Sequence, residues 1–181
     1  MYFKKIVFTG GPCAGKTTLI EKVAEYLKEK DCEVLILPEA ATKIFGIGVR
    51  YDMINNIDNF QKIIFDVQKA QEDMIDFILK LNKNSNKKYI IIYDRGILDN
   101  KAYFDSHIGF DNLLKSGYSE IDFLDNYDLV FDIITLADCK PEEYNLSSNE
   151  ARSEDKDLAL KIDRKTSNAW AGHRNINIIN F

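Results

Sequence analysis

The sequence has few of the residues that build disulfide frameworks or zinc sites. Its 181 residues include three cysteines and two histidines. Cys13, Cys32 and Cys139 lie far apart and form no Cys-x-x-Cys pair, which argues against both kinds of site. No apolar run approaches the roughly 20 residues that a membrane-spanning helix needs. The net charge of −5, with both signs scattered along the chain, gives no support for binding to nucleic acid or to an anionic membrane.

The composition that remains is ordinary for a soluble globular protein, with 45% hydrophobic and 29% charged residues. The length suits one α/β domain, and we expect a single domain over residues 1–181. The chain begins at Met1 and reaches a glycine-rich segment within ten residues. Because this spacing leaves no room for a signal peptide, we expect a cytoplasmic location.

The glycine-rich segment near the start carries the most specific motif. Gly10, Gly15, Lys16 and Thr17 fit the pattern G-x-x-x-x-G-K-[ST] of the phosphate-binding P-loop. An apolar run at residues 6–8 precedes it, and a helical pattern follows. In such a loop the backbone N–H groups cradle phosphates, the lysine reaches the β- and γ-phosphates, and the threonine hydroxyl ligates Mg²⁺. The predicted nucleotide-binding residues are Gly10, Gly11, Pro12, Cys13, Ala14, Gly15, Lys16, Thr17 and Thr18.

Hydrophobic periodicity predicts alternating strands and helices. The predicted strands are 4–9, 33–37, 89–93, 129–136 and 175–180, and a long amphipathic helix is predicted over 57–82. This alternation indicates a three-layer α/β P-loop NTPase fold, with five parallel strands in an order of about 2-3-1-4-5 and helices on both faces. The polar composition after residue 140 suggests a lid at about 138–165.

Ligands of open parallel sheets bind at the carboxyl ends of the strands, so the residues that follow each strand are candidates. Glu39 follows the second strand and Asp94-Arg95 the third. Asp94 is the candidate metal ligand together with Thr17, and Asp132 is its rival. Glu39 is a candidate general base, or alternatively a charge at a helix N-terminus. Arg95 is a candidate phosphate ligand, or alternatively the salt-bridge partner of Asp94 or a charge at a helix end.

Basic residues in the proposed lid are candidates for stabilising charge on the transferred phosphoryl group. Arg152 is the main candidate, both for catalysis and for nucleotide binding, and Arg164 lies twelve residues beyond it. The alternative is a solvated, charged helix face. The two histidines, His107 and His173, stand alone and are expected to be structural or surface residues, and Trp170 is expected to pack the last helix on the sheet.

These motifs together resemble a known family. The P-loop, Pro38-Glu39-Ala40-Ala41, Asp94-Arg95-Gly96 and the segment 152–173 are similar to the small single-domain P-loop ATPases and kinases of AAA-like type. That family includes the ribosylnicotinamide kinase domain of a bifunctional NAD-salvage protein. The acid–arginine pair and Glu39 also resemble, more remotely, the deoxynucleoside kinases, in which the corresponding glutamate serves as the base.

Two functions follow from these observations. The first is a kinase that uses ATP (or GTP) and Mg²⁺ to phosphorylate a hydroxyl of a nucleoside-like or vitamin-like small molecule, with Lys16, Glu39, Arg95 and Arg152 as catalytic residues. The second is a nucleotide-dependent regulatory switch that hydrolyses its nucleotide slowly. A kinase needs an acceptor pocket between Glu39 and Arg95, whereas a switch needs an apolar surface that changes with nucleotide state. The oligomeric state cannot be read from these motifs.

Overall fold

In a computed structural model of the chain, residues 2–104, 107–115, 117–139 and 156–180 are described. The strands are β1 (Tyr2–Thr9), β2 (Cys32–Leu37), β3 (Lys88–Asp94), β4 (Leu129–Ile133) and β5 (Ile176–Ile179). The helices are α1 (Lys16–Glu29), α2 (Ala40–Gly46), α3 (Ile57–Leu81), α4 (Asn100–Tyr103), α5 (His107–Leu114), α6 (Glu120–Asp125), α7 (Leu136–Cys139) and α8 (Lys156–Trp170). Short 3₁₀ turns lie at Tyr51–Met53 and Ile97–Asp99. Among these described helices, none combines the length and the apolar character needed to cross a membrane.

The five strands form one parallel sheet in the order β2-β3-β1-β4-β5. The fold class and the strand order predicted from the sequence are therefore confirmed. β1 lies at the centre, where Phe8 is in register with Asp94 of β3 and with Phe131 of β4. Because all strands point the same way, the residues that follow β1, β2, β3 and β4 meet at one edge of the sheet.

Alternate side chains of each strand point to opposite faces of the sheet, and both faces are covered. In β3, Ile91 and Tyr93 belong to the core that also contains Phe65 of α3 and Trp170 of α8. Ile90 and Ile92 point the other way and pack with Ile20 and Ala24 of α1. This arrangement gives three layers, and it explains why β3 is an almost continuous apolar run.

The prediction of a strand over 129–136 is wrong at its carboxyl end. β4 stops at Ile133, and α7 begins at Leu136. Thr135 accounts for the change, because its hydroxyl accepts a hydrogen bond from the Ala137 amide at 3.4 Å, as a helix-capping residue does. Asp132 lies within the strand, as the sequence predicted.

Helix α3 differs from the single amphipathic face that its sequence indicated. It begins after Asn56, whose side-chain oxygen accepts a hydrogen bond from the Asn59 amide at 2.8 Å. Its inward face contains the polar residues Gln68 and Glu72 beside apolar ones, and all of these are buried. Met74 and Leu81, which the periodicity assigned to the apolar face, point to solvent instead.

Candidate functional site

The P-loop between β1 and α1 adopts a conformation that requires glycine. Gly10 and Gly15 have φ angles of 126° and 74°, in the left-handed region that favours glycine. Cys13 is also left-handed, with φ 55°, and it is buried. A Cβ atom on Gly10 would lie 3.0 Å from the carbonyl carbon of Ile133, so a larger residue does not fit. The chain thus passes tightly under the end of β4 before α1 begins at Lys16.

Lys16 is almost entirely buried, at 6% exposure. Its ammonium group donates hydrogen bonds to the carbonyl oxygens of Gly10, at 3.1 Å, and Gly11, at 2.7 Å. Burial, with the nearby Arg95 guanidinium as the next cause, lowers the pKa of Lys16 to about 8. The cation therefore rests on the loop itself, at the place where a P-loop lysine meets phosphate.

Asp163 of α8 holds the P-loop from the far side. Its carboxylate accepts hydrogen bonds from the Gly11 amide at 2.7 Å and from the Thr135 amide at 3.2 Å. The Thr135 hydroxyl in turn donates to the Pro12 carbonyl at 2.5 Å. Burial raises the pKa of Asp163, and the two amide donors oppose that rise. α8 is thus tied directly to the loop that the sequence identified as the phosphate cradle.

Thr17 and Asp94, the two candidate metal ligands, lie side by side. The Thr17 hydroxyl donates to the Asp94 carboxylate at 3.2 Å. Burial raises the pKa of Asp94, and the positive charge of Lys16 opposes this rise. The rival acid, Asp132, accepts a hydrogen bond at 2.5 Å from Ser167 of α8 instead. Of the two acids, Asp94 is thus the one beside the P-loop threonine.

Arg95 connects the end of β3 to the P-loop and to the residue that follows β2. Its Nε donates to the Glu39 carboxylate at 2.5 Å, and its Nη1 donates to the Gly10 carbonyl at 3.0 Å. Nη1 also lies 3.4 Å from the Asp99 carboxylate, and the guanidinium stacks over the Tyr103 ring at 5.4 Å. The partner of Arg95 is therefore Glu39 rather than Asp94, the salt-bridge partner that the sequence suggested.

Glu39 is ionised throughout the physiological pH range. Burial raises the pKa of its carboxyl group, but Arg95, Lys16 and a hydrogen bond from Thr42 outweigh this and lower it to about 2. Glu39 is also the N-cap residue of α2, yet its side chain makes no capping hydrogen bond to the helix backbone. Glu39 thus stands at the N-terminus of α2, while its carboxylate faces Arg95 and Lys16.

Further polar residues that the sequence did not single out hold Arg95 and the segment after it. Asp99 accepts hydrogen bonds from the Thr9 hydroxyl at 2.6 Å and from the Trp170 indole at 2.5 Å. Gln68 of α3 donates to the Arg95 carbonyl at 3.0 Å. These contacts link residues up to 90 positions apart, so no local pattern in the sequence reveals them.

The remaining predicted residues fall into three groups. The P-loop residues, Glu39, Asp94 and Arg95 come together at one edge of the sheet. Trp170 and His173 are buried structural residues, as expected; Trp170 is fully enclosed, and a His173 ring nitrogen lies 3.0 Å from the Tyr127 carbonyl. Arg164 is exposed on α8, whereas Arg152 and the middle of the predicted lid lie outside the described residues.

A thymidylate kinase from Ehrlichia chaffeensis has a similar structure, with a TM-score of 0.59 and 17% sequence identity over 99% of this chain and 93% of that one. A comparison with curated protein sequences gave no significant match. Residues 5–180 match a family described as an AAA domain (AAA_28). Since this match spans nearly the whole chain and includes the P-loop, the protein belongs to this AAA domain family.

Proposed function

We propose that the protein is a small-molecule kinase that transfers the γ-phosphoryl group of ATP to a hydroxyl of a nucleoside-like or vitamin-like metabolite. The observation that carries this proposal is the half-buried Glu39–Arg95 pair, in which Arg95 also binds the Gly10 carbonyl of the P-loop. A P-loop protein that only binds nucleotide does not need a carboxylate and a guanidinium beside the loop. A kinase needs both, one for the acceptor hydroxyl and one for phosphate.

The P-loop amides and Lys16 are proposed to bind the nucleotide phosphates. On binding, Lys16 would exchange the carbonyls of Gly10 and Gly11 for phosphate oxygens. The Thr17 hydroxyl and the Asp94 carboxylate are oxygen donors 3.2 Å apart, a pair that suits Mg²⁺, which takes one or two carboxylates together with substrate phosphates. When bound, Mg²⁺ neutralises negative charge on the β- and γ-phosphates.

The acceptor hydroxyl is proposed to approach Glu39. As its oxygen forms a bond to the γ-phosphorus, the bond to the β-phosphate oxygen breaks, ADP leaves, and the hydroxyl proton passes to the Glu39 carboxylate. Arg95 would stabilise the transferred group by turning from Glu39 towards phosphate. That movement also removes the main attraction that lowers the pKa of Glu39, which makes Glu39 a stronger base at the moment of transfer.

The test is phosphoryl transfer from labelled ATP, and from GTP, to a panel of nucleosides, nicotinamide riboside and related vitamins. Nicotinamide riboside belongs in the panel because of the family resemblance noted in the sequence. Glu39→Gln should lower transfer by about 10²–10⁴-fold while nucleotide binding persists. Glu33→Gln is the matched control, since Glu33 lies on β2, the strand that precedes Glu39, and pairs with Lys87 at the surface, and it should leave transfer unchanged.

A nucleotide-dependent switch is the second candidate, and one observation favours it. Ile47, Tyr51 and Met53, in the connection between α2 and α3, are exposed apolar residues close in sequence to Glu39. They would suit a partner surface that responds to nucleotide. Slow phosphate release that is equal with every acceptor and unchanged by Glu39→Gln would contradict the kinase and support this alternative.

A further inference from the structure

Helix α3 has an apolar stripe on its outward face that is unrelated to the core of the sheet. With about 3.6 residues per turn, six apolar residues fall within roughly 80° of the helix surface. Four of them have large exposed side chains, at 39%, 54%, 61% and 68% for Ile63, Met74, Phe77 and Leu81. The whole stripe consists of Ile63, Val67, Ala70, Met74, Phe77 and Leu81.

The stripe has the spacing of a helix that packs on another helix. Ile63, Ala70 and Phe77 recur every seven residues, and so do Val67, Met74 and Leu81, which fall three or four positions away from the first set. This is the a/d pattern of paired helices. From Ile63 to Leu81 it extends over about 27 Å, so it is a continuous seam rather than a few scattered surface residues.

Helix α3 buries two polar side chains, and it exposes an apolar stripe beside a flank of charged residues. Gln68 and Glu72 are buried, where they bind the Arg95 carbonyl and the Tyr127 hydroxyl. The outward stripe contains no charged residue. A surface helix normally places its apolar side chains inward and its polar ones outward. We therefore propose that the carboxyl-terminal half of the α3 stripe, where the side chains are most exposed, is an interface, and that its occupant is the same segment of a second copy of this chain.

The charges beside the stripe favour a second copy in antiparallel orientation. Asp73 and Lys80 lie on the same flank of α3, seven residues apart. A twofold axis near Phe77 packs Met74, Phe77 and Leu81 against the same three residues of the second copy, and it sets Asp73 opposite Lys80 of the second copy at two equivalent positions. Within its own chain, Asp73 pairs with the preceding Lys69. In a parallel pair the two copies of this flank lie on opposite sides of the interface, so Asp73 and Lys80 of the two chains do not meet.

The first test is the mass in solution, measured by sedimentation velocity from about 1 to 200 μM. The wild type should form a dimer of twice the 20.9 kDa chain mass. Phe77→Glu should raise the dissociation constant at least 30-fold, as expected for a central interface residue. Ile121→Glu is the matched control, because Ile121 of α6 is similarly exposed, at 67%, but lies outside the stripe. It should leave the dimer unchanged.

Two further variants test the orientation. Lys80→Glu should weaken the dimer, and Asp73→Lys combined with Lys80→Glu should restore it, because the exchanged pair is again complementary. Phe77→Cys should form an intermolecular disulfide under mild oxidation, whereas Ile63→Cys should not, since Ile63 lies far from the twofold axis. The wild type, which has only the native cysteines, is the control for disulfides that do not involve an introduced cysteine.

A monomer at every concentration would overturn the proposal, and so would a dimer that Phe77→Glu leaves intact. Phe77 is exposed, so its replacement should not unfold the chain, and an unchanged circular dichroism spectrum and Tm would verify this. The proposal is independent of phosphoryl transfer. A dimer without kinase activity, or a kinase without a dimer, would each separate the two proposals.

Discussion

Replacement of Glu72 by glutamine should change how stability depends on pH. Glu72 is 3% exposed, and its carboxylate accepts hydrogen bonds from the Tyr127 hydroxyl at 2.6 Å and the Asn126 amide at 3.0 Å. Burial raises the pKa of Glu72 to about 7, against the opposing effects of Tyr127 and Lys5. Above about pH 7 the folded protein thus holds a charged carboxylate in its interior, and this lowers the free energy of unfolding.

The sign and size of this cost follow from the two pKa values. Between pH 4.5, the ordinary value for glutamate, and about 7, the folded protein retains a proton that the unfolded chain has lost. The free energy of unfolding therefore falls as pH rises through this window. At about 1.4 kcal/mol per pH unit, the total loss is about 3 kcal/mol. Glutamine does not titrate, so Glu72→Gln should not show this loss.

Urea unfolding at pH 5, 6, 7 and 8 measures the effect. The stability of Glu72→Gln relative to the wild type should increase by about 2–3 kcal/mol from pH 5 to pH 8. Glu25→Gln, at an exposed position on α1, is the control and should show a difference that is independent of pH. If the Glu72→Gln difference is also flat, then burial does not raise the pKa of Glu72 and this reasoning is wrong.

Three predictions concern the P-loop. Because burial and Arg95 lower the pKa of Lys16 to about 8, phosphate binding should restore the charge of Lys16, and the protein should take up about half a proton at pH 8. Calorimetry in buffers of different ionisation enthalpy measures this proton uptake. An uptake of zero would refute the prediction. Asp163→Ala leaves the Gly11 and Thr135 amides without their hydrogen-bond acceptor. Nucleotide affinity, measured by titration with a fluorescent nucleotide, should therefore fall about tenfold. An unchanged affinity would show that Asp163 does not support the P-loop. Gly11→Ala places a Cβ atom 2.7 Å from the Asp163 carboxylate and 2.8 Å from the Asp163 Cβ atom, and it should lower stability by about 1–3 kcal/mol in thermal unfolding. Asp163→Gly removes both contacts, so the double variant should lose less stability than the sum of the two single variants. Full additivity would exclude the clash.

The parts of the fold that the sequence predicted correctly depend on short-range patterns. A stretch of about twenty residues around Gly10 and Gly15 is enough to predict the order strand, loop, helix. The rule that ligands bind at the carboxyl ends of parallel strands then selected Glu39, Asp94 and Arg95 without knowledge of their contacts. The structure places all three beside the P-loop.

The parts that the sequence did not predict depend on long-range contacts. Asp163 meets Gly11 across 152 positions, and no periodicity connects them. Ile134 is apolar and extends the pattern of β4, but the Thr135 hydroxyl caps the helix that follows. Periodicity also predicted a single apolar face for α3. The spacing of apolar residues identifies a helix, but it does not show which of two apolar sides packs on the sheet.

The central position of β1 has a consequence for synthesis of the chain. In the finished sheet, β1 is flanked by β3 and β4, so that Tyr2 pairs with Lys88 and Ile6 with Leu129. At about 5–20 residues per second, on the order of ten seconds pass before the ribosome has made either partner strand. During that interval an apolar strand waits with both edges unpaired, in a state prone to aggregation. The strand that later supports the P-loop is thus the one that a nascent chain most needs to shield.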